Sequence, residues 1–195
     1  MGSKTSSRIR RSSRSINARG GRIVKRFFLP FLVLFAFISE SSFAHLVHFT
    51  FVSEDYLFIP RFVLIFVIFI TVYLNRTQGM VLGFFFGLLH DIVFIEVIGI
   101  YLFAYGILAY LIHKAMKALH GHILIVWLLI ILSISVLEFY VYGVNYLIGV
   151  TNISLYKFTT LRLLPTLSLN LIAAILFSYP IKVYLTKLKL ETTED

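Results

Sequence analysis

The sequence predicts an all-α integral membrane protein, a six-transmembrane-helix bundle with both its N-terminus and its C-terminus in the cytoplasm. Of its 195 residues 59% are hydrophobic, including 20 Phe and 11 Tyr, and only 9 are acidic. The apolar residues form blocks close to the length that crosses a bilayer, and a soluble domain of this size could not bury them all. The distribution of Lys and Arg along the chain supplies the orientation.

The N-terminal segment, residues 1–26, contains nine of the 18 Lys and Arg residues and few apolar side chains. This composition predicts a disordered basic arm in the cytoplasm. The arm could bind RNA or lipid, but a topology anchor beside anionic lipid is the simpler interpretation. We therefore attribute the net charge of +9 to membrane topology and expect no binding to nucleic acid.

Six apolar stretches follow the arm, and short polar segments separate them. The first, at about 27–51, has Pro30 in its first turn, where the missing N–H of proline costs little. The other predicted spans lie at about 57–74, 79–94, 97–112, 123–142 and 161–185. The membrane domain thus covers 27–186, and residues 187–195 form a cytoplasmic tail.

The basic residues divide unequally between the two sides of this predicted bundle. With the N-terminus inside, 15 Lys and Arg residues lie on the cytoplasmic side, and only Arg61, Lys157 and Arg162 lie outside. The positive-inside rule therefore predicts six crossings. The chain contains no cysteine, which excludes disulfides and thiolate metal sites.

The third predicted helix has small residues along one face. Gly79, Gly83, Gly87 and Asp91 are spaced four residues apart, and a step of four turns only about 40° around an α-helix. In a membrane, such a glycine stripe lets another helix approach closely, either within the protein or from a partner. The sequence leaves both possibilities open. The carboxylate at the end of the stripe needs a partner, a cavity or access to the interface.

Other charged residues lie within or at the ends of the remaining predicted helices. Under the predicted topology, Glu40, Arg61 and Glu138 fall in the outer half of the membrane or at its outer interface, as Asp91 does. We predict a hydrated, partly paired polar cleft open to the outside, although each side chain could instead reach the headgroups separately. Asn170 lies deeper and is expected to hydrogen-bond to another helix.

No motif in the chain indicates catalysis or metal binding. The pairs His45/His48 and His120/His122 lack the HExxH spacing of metalloproteases. Neither a GxSxG motif nor a phosphate-binding loop is present. We therefore predict no catalytic residue, no metal and no cofactor.

Several of these residues, in their order and spacing, resemble the signature of the bacterial rod shape-determining protein MreD family. The resemblance covers about 27–189 and is carried by Arg61, Gly79, Gly83, Gly87, Asp91, Gly99, Gly106, Ala109-Tyr110-Leu111, Glu138, Asn170 and Pro180. It implies a non-enzymatic, multi-pass scaffold in the bacterial cytoplasmic (inner) membrane that supports cell-wall elongation, peptidoglycan synthesis and cell shape. Members of the family also resemble, in fold, the substrate-binding S-components of energy-coupling-factor transporters.

The resemblance also implies partners. These are an MreC-like single-span protein and, indirectly, a SEDS glycosyltransferase, a class B penicillin-binding protein and the MreB filament, with membrane lipids around the bundle. The expected helix-packing or partner interface consists of Gly79, Gly83, Gly87, Asp91 and Gly99. Asp91, alone or paired with Arg61, would fix its outer end.

Two other functions remain open from the sequence. In the first, the protein is a small-molecule-binding membrane subunit of a transporter, and the polar cleft holds a vitamin-like ligand. One fold can support either role. In the second, the protein is a membrane enzyme acting on a lipid head group, with Asp91, Glu138 and a histidine as acid and base.

Overall fold

The computed structural model of the chain describes residues 28–43, 56–94, 98–119 and 122–193. Within these ranges the regular structure is helical and there is no strand. The helices are α1 (Phe28–Phe43), α2 (Phe62–Tyr73), α3 (Arg76–Phe94), α4 (Ile100–Ala118), α5 (Ile123–Leu147), α6 (Leu155–Lys157) and α7 (Leu164–Thr193). A π-helical segment, Phe158–Leu163, joins α6 to α7 without a break.

The predicted all-α fold is therefore confirmed for the described part of the chain. Three helical stretches are long and apolar enough to cross a membrane, namely Arg76–Phe94, Ile123–Leu147 and Leu155–Glu191. Helices α1 and α2 are apolar but shorter. Six crossings with cytoplasmic termini remain a prediction. The basic arm, residues 44–51 of the first predicted span, and His45, His48 and His120 lie outside the described residues.

Several helix boundaries differ from those expected. Helix α2 begins at Phe62 and not near residue 57, because a proline at position 60 disfavours helical conformation in the residue before it and has no N–H to donate. The last helical stretch, α6 with the π-helical segment and α7, begins at Leu155 and not near residue 161. Helix α4 runs over Ile100–Ala118 instead of 97–112, and α5 continues to Leu147.

Helix α2 lies at the centre of the bundle. Every residue from Val63 to Thr71 is buried, so this stretch has no exposed face. The helix contacts α3, α4, α5 and α7. A helix that is apolar all round is typically a buried helix. Its 12 residues rise only about 18 Å, which is less than the thickness of a hydrocarbon core.

The glycine stripe of α3 packs inside the protein. Gly79, Gly83 and Gly87 are all buried, the first against α2. A Cβ atom at Gly83 would lie 3.1 Å from the main-chain oxygen of Tyr105 in α4, and one at Gly87 would overlap the main chain of Tyr101. The close helix approach that the stripe permits therefore occurs within the chain. This face is not free to contact a partner helix.

Candidate functional site

The site is organised around Arg61, the residue immediately before α2, which is only 4% exposed. Its Nε and Nη2 atoms donate to one oxygen of Glu138 in α5, at 2.8 and 2.6 Å. Nη2 also donates to the hydroxyl of Tyr101 in α4, at 2.9 Å. The guanidinium lies 5.0 Å from the centre of the same tyrosine ring. One side chain thus joins the start of α2 to α4 and α5.

Glu138 is fully buried and binds a second arginine through its other oxygen. Both Nε and Nη2 of Arg162 lie 3.0 Å from this Oε2 atom. Arg162 belongs to the π-helical segment, and its side chain is 26% exposed. Charge-assisted hydrogen bonds from two guanidinium groups offset the cost of burying the carboxylate. The last helix is thereby tied to α5 and to the start of α2.

Glu40 connects α1 to the same cluster and to α3. Its Oε1 atom lies 3.1 Å from Nε2 of His90 and 3.9 Å from Nη1 of Arg61. Its Oε2 atom accepts from the main-chain N–H of Val63, at 3.1 Å, in the first turn of α2. With Glu40 ionised, Nε2 of His90 is the donor in this contact. Nδ1 of His90 has no hydrogen-bond partner among the described residues.

Asn170 in α7 holds the non-helical residues that precede α2. Its Oδ1 atom accepts from the main-chain N–H of Arg61 at 2.7 Å, and its Nδ2 atom donates to the carbonyl of Ile59 at 2.8 Å. One turn earlier in α7, the hydroxyl of Thr166 accepts from the N–H of Ile59 at 3.2 Å. Irregular backbone within a membrane protein requires such internal partners. The amide of Asn170 therefore bonds mainly to backbone outside its own helix.

Asp91 has partners that the sequence did not suggest. It is fully buried and accepts from the main-chain N–H groups of Gly99, Tyr101 and Leu102, at 2.9, 2.8 and 3.0 Å. These are donors at the start of α4, so Asp91 caps that helix from the end of α3. Gly99 has φ +115°, a conformation that favours glycine. Asp91 thus fixes the turn between α3 and α4 and does not pair with Arg61.

A cavity of about 250 Å³ lies beside this cluster. Its polar lining consists of Glu40, Ser41, Arg61, His90, Tyr101, Asn145 and Arg162. Of the four residues predicted to form a polar cleft, Glu40 and Arg61 line this cavity. Glu138 forms ion pairs with both arginines, and Asn170 binds the adjacent backbone. The predicted group therefore comes together, with its charges paired inside the protein.

Three residues of the cluster, His90, Tyr101 and Arg162, were not selected from the sequence. In the predicted topology Arg162 is only one of three basic residues on the outer side. A signal was available, because Arg162, Thr166 and Asn170 are spaced four residues apart, as the glycines of α3 are. This spacing places three polar side chains along one side of the last helix.

Both carboxylates of the cluster are fully paired within the chain. Its two arginines and two glutamates, Arg61, Arg162, Glu40 and Glu138, have a formal charge of zero, and each of the four carboxylate oxygens accepts from a group within the chain. Among the described residues, no group of three His, Asp or Glu side chains is placed to bind a metal ion. The arrangement fixes helices relative to one another.

Comparison with known proteins gives one consistent result. The family model described as rod shape-determining protein MreD matches residues 25–188. The rod shape-determining protein MreD of Bacillus subtilis (strain 168) is 37% identical over 172 residues, which cover 88% of this chain and 100% of that relative. No solved structure matches the chain.

Proposed function

The chain belongs to the rod shape-determining protein MreD family, and on that basis we propose that it is a non-enzymatic scaffold of the cell-wall elongation machinery. In this proposal it crosses the bacterial cytoplasmic membrane several times and binds an MreC-like single-span protein. Through that partner it acts with the SEDS glycosyltransferase, the class B penicillin-binding protein and MreB. The result is support of side-wall peptidoglycan synthesis and rod shape.

The pairing of the buried charges is the observation that favours a scaffold. A general acid or base must reach the proton that it transfers, and it needs a site open to the substrate. Here both oxygens of Glu138 bind arginines, and both oxygens of Glu40 accept from α2 and α3. These contacts hold α1, α2, α3, α5 and the last helix in one arrangement. A rigid bundle of this kind presents fixed helix faces to its partners.

The partner contact requires a face other than the glycine stripe, because the stripe is buried against α2 and α4. Exposed apolar side chains lie on all the long helices around α2. One strongly exposed position represents each of these helices, namely Phe35, Phe85, Phe103, Leu128 and Ile172. In a membrane these positions face either lipid or a partner span.

Single-cysteine crosslinking tests the proposal, because the native chain contains no cysteine. Each of the five exposed positions is replaced in turn by cysteine and co-expressed with the MreC-like protein of the same cell, carrying cysteines along its span. We expect copurification in detergent and crosslinks confined to one or two neighbouring helices. Ile65→Cys in buried α2 is the control and should not crosslink. Failure to copurify, together with no crosslink at any position, would refute the scaffold proposal.

A further inference from the structure

The cavity beside the Arg61 cluster has the size of a small polar ligand. Its volume of about 250 Å³ equals that of about eight water molecules, and it lies just below the usual range of ligand pockets. Apolar side chains complete the lining, including Pro60, Phe94 and Val141. A lining of apolar walls with a few placed polar groups is typical of ligand sites.

Arg162, Glu138, Arg61 and Glu40 form a row of alternating sign, and all of them except Glu138 line the cavity. Arg162 contacts Glu138, Glu138 contacts Arg61, and Arg61 lies 3.9 Å from Glu40. Glu138 is buried behind the lining, so the row presents two guanidinium groups and one carboxylate to the cavity. Its two ends differ, because a guanidinium group lies at one end and a carboxylate beside His90 at the other. A ligand with a negative group at one end and a positive group at the other matches this order.

The two arginines of the row have N–H groups that are not used in the contacts with Glu138. Nη1 of Arg61 lies 3.9 Å from the nearest carboxylate oxygen in the cluster, which is beyond a hydrogen bond. The contacts of Arg162 to Glu138 use Nε and Nη2 and leave Nη1. These N–H groups suit an oxyanion. At the other end, the carboxylate of Glu40 lines the cavity and attracts an ammonium group.

We propose that this cavity binds a small zwitterion, an oxyanion joined to an ammonium group, of the size of phosphoethanolamine. The oxyanion lies against Arg162 and Arg61, and the ammonium group lies against Glu40. The same chemistry is present in a phosphatidylethanolamine headgroup and in a free zwitterion. The inference is independent of the scaffold role, because a scaffold with a bound headgroup and one without it can bind the same partner.

Native mass spectrometry of the full chain, purified in detergent, tests the proposal and separates the two sources. One arm offers an equimolar mixture of phosphatidylethanolamine and phosphatidylglycerol, and the other offers soluble O-phosphoethanolamine. We expect the ethanolamine lipid to be retained about tenfold over the glycerol lipid, a factor that one charged hydrogen bond can provide. Binding of O-phosphoethanolamine without lipid would identify a free zwitterion as sufficient. Equal retention of both lipids, with no binding of the soluble probe, overturns the proposal.

Two variants locate the ligand within the protein. Arg162→Gln should lower retention about tenfold, whereas Lys157→Gln, which removes an equal charge from an exposed position, should leave it unchanged. Asn145→Phe fills the cavity without changing its charge and should abolish retention while the melting temperature stays close to that of the wild type. Wild-type retention in a folded Asn145→Phe variant overturns the assignment. An equal loss in Lys157→Gln and Arg162→Gln does so too.

Discussion

The effects of removing Glu138 and Arg61 on the free energy of unfolding should not be additive. Removing both residues should destabilise the protein less than the sum of the two single removals. Glu138→Leu leaves Arg61, which is 4% exposed, with Glu40 at 3.9 Å as the nearest carboxylate of the cluster. The three charged groups that remain in the cluster, Arg61, Arg162 and Glu40, then have a net charge of +1. Breaking a buried ion pair by removing one partner costs about 3–5 kcal/mol, because the other charge stays buried without compensation.

Arg61→Met removes the opposite charge and leaves the cluster at −1, with Glu138 still bonded to Arg162. The double variant restores neutrality. Its loss of unfolding free energy should therefore be smaller than the sum of the two single losses by about 1–3 kcal/mol. As a control, Arg76→Met at the exposed start of α3 should cost no more than about 0.5 kcal/mol and should add to the effect of Glu138→Leu.

Unfolding by a denaturing detergent in mixed micelles provides the measurement. The chain contains a single tryptophan, Trp127 in α5, so its fluorescence reports the loss of packing around one of the helices that the cluster joins. The free energy of unfolding is compared across the three single variants, the two double variants and the wild type. Additive costs in the Arg61 and Glu138 cycle, within about 0.5 kcal/mol, would refute the reasoning. Such a result would mean that neither residue compensates the charge of the other.

The same titration tests two further predictions. Gly87→Ala should cost about 1–3 kcal/mol, because the new Cβ would overlap the main chain of α4. Gly143→Ala, whose Cβ would meet no atom within 4 Å, should instead stabilise α5 by about 0.5–1 kcal/mol, and effects of the same sign would contradict the packing argument. Asn170→Leu should cost about 2–5 kcal/mol, because it leaves a buried N–H and a carbonyl without their partner, whereas exposed Ser168→Leu should cost no more than about 0.5 kcal/mol. A loss in Asn170→Leu no larger than that of the serine control would mean that water or other groups satisfy these atoms.

The polar residues of the sequence were the most informative guide to the site. A charge within a membrane is costly unless it is paired, so Glu40, Arg61 and Glu138 were expected to lie close together. The structure brings them within one cluster. The identity of each partner could not be predicted, because pairing depends on how the helices rotate about their axes. Asp91 illustrates this, since its partners are main-chain groups, which no residue pattern distinguishes.

The central position of α2 could not be predicted for a related reason. In a soluble protein the periodicity of apolar residues distinguishes the buried face of a helix from the exposed face. In a membrane protein both faces are apolar, so the run from Val63 to Ile70 is equally compatible with lipid and with protein on all sides. The spacing of the glycines indicates close packing of α3, but spacing alone does not tell which helix is the neighbour.

The start of α2 explains why the charged groups gather at this place. Pro60 prevents α2 from starting earlier in the chain. The main-chain N–H groups at the start of α2 and in the residues before it therefore have no partner within a helix. Glu40 accepts from one of these donors in α2, and Asp91 accepts from the corresponding donors of α4. Two buried carboxylates are therefore compensated by helix N-termini, while the third, Glu138, is compensated by arginines. The starts of α2 and α4, the π-helical segment and the cavity meet in one region. Binding of a ligand in the cavity would therefore act directly on the contacts that hold these helices together.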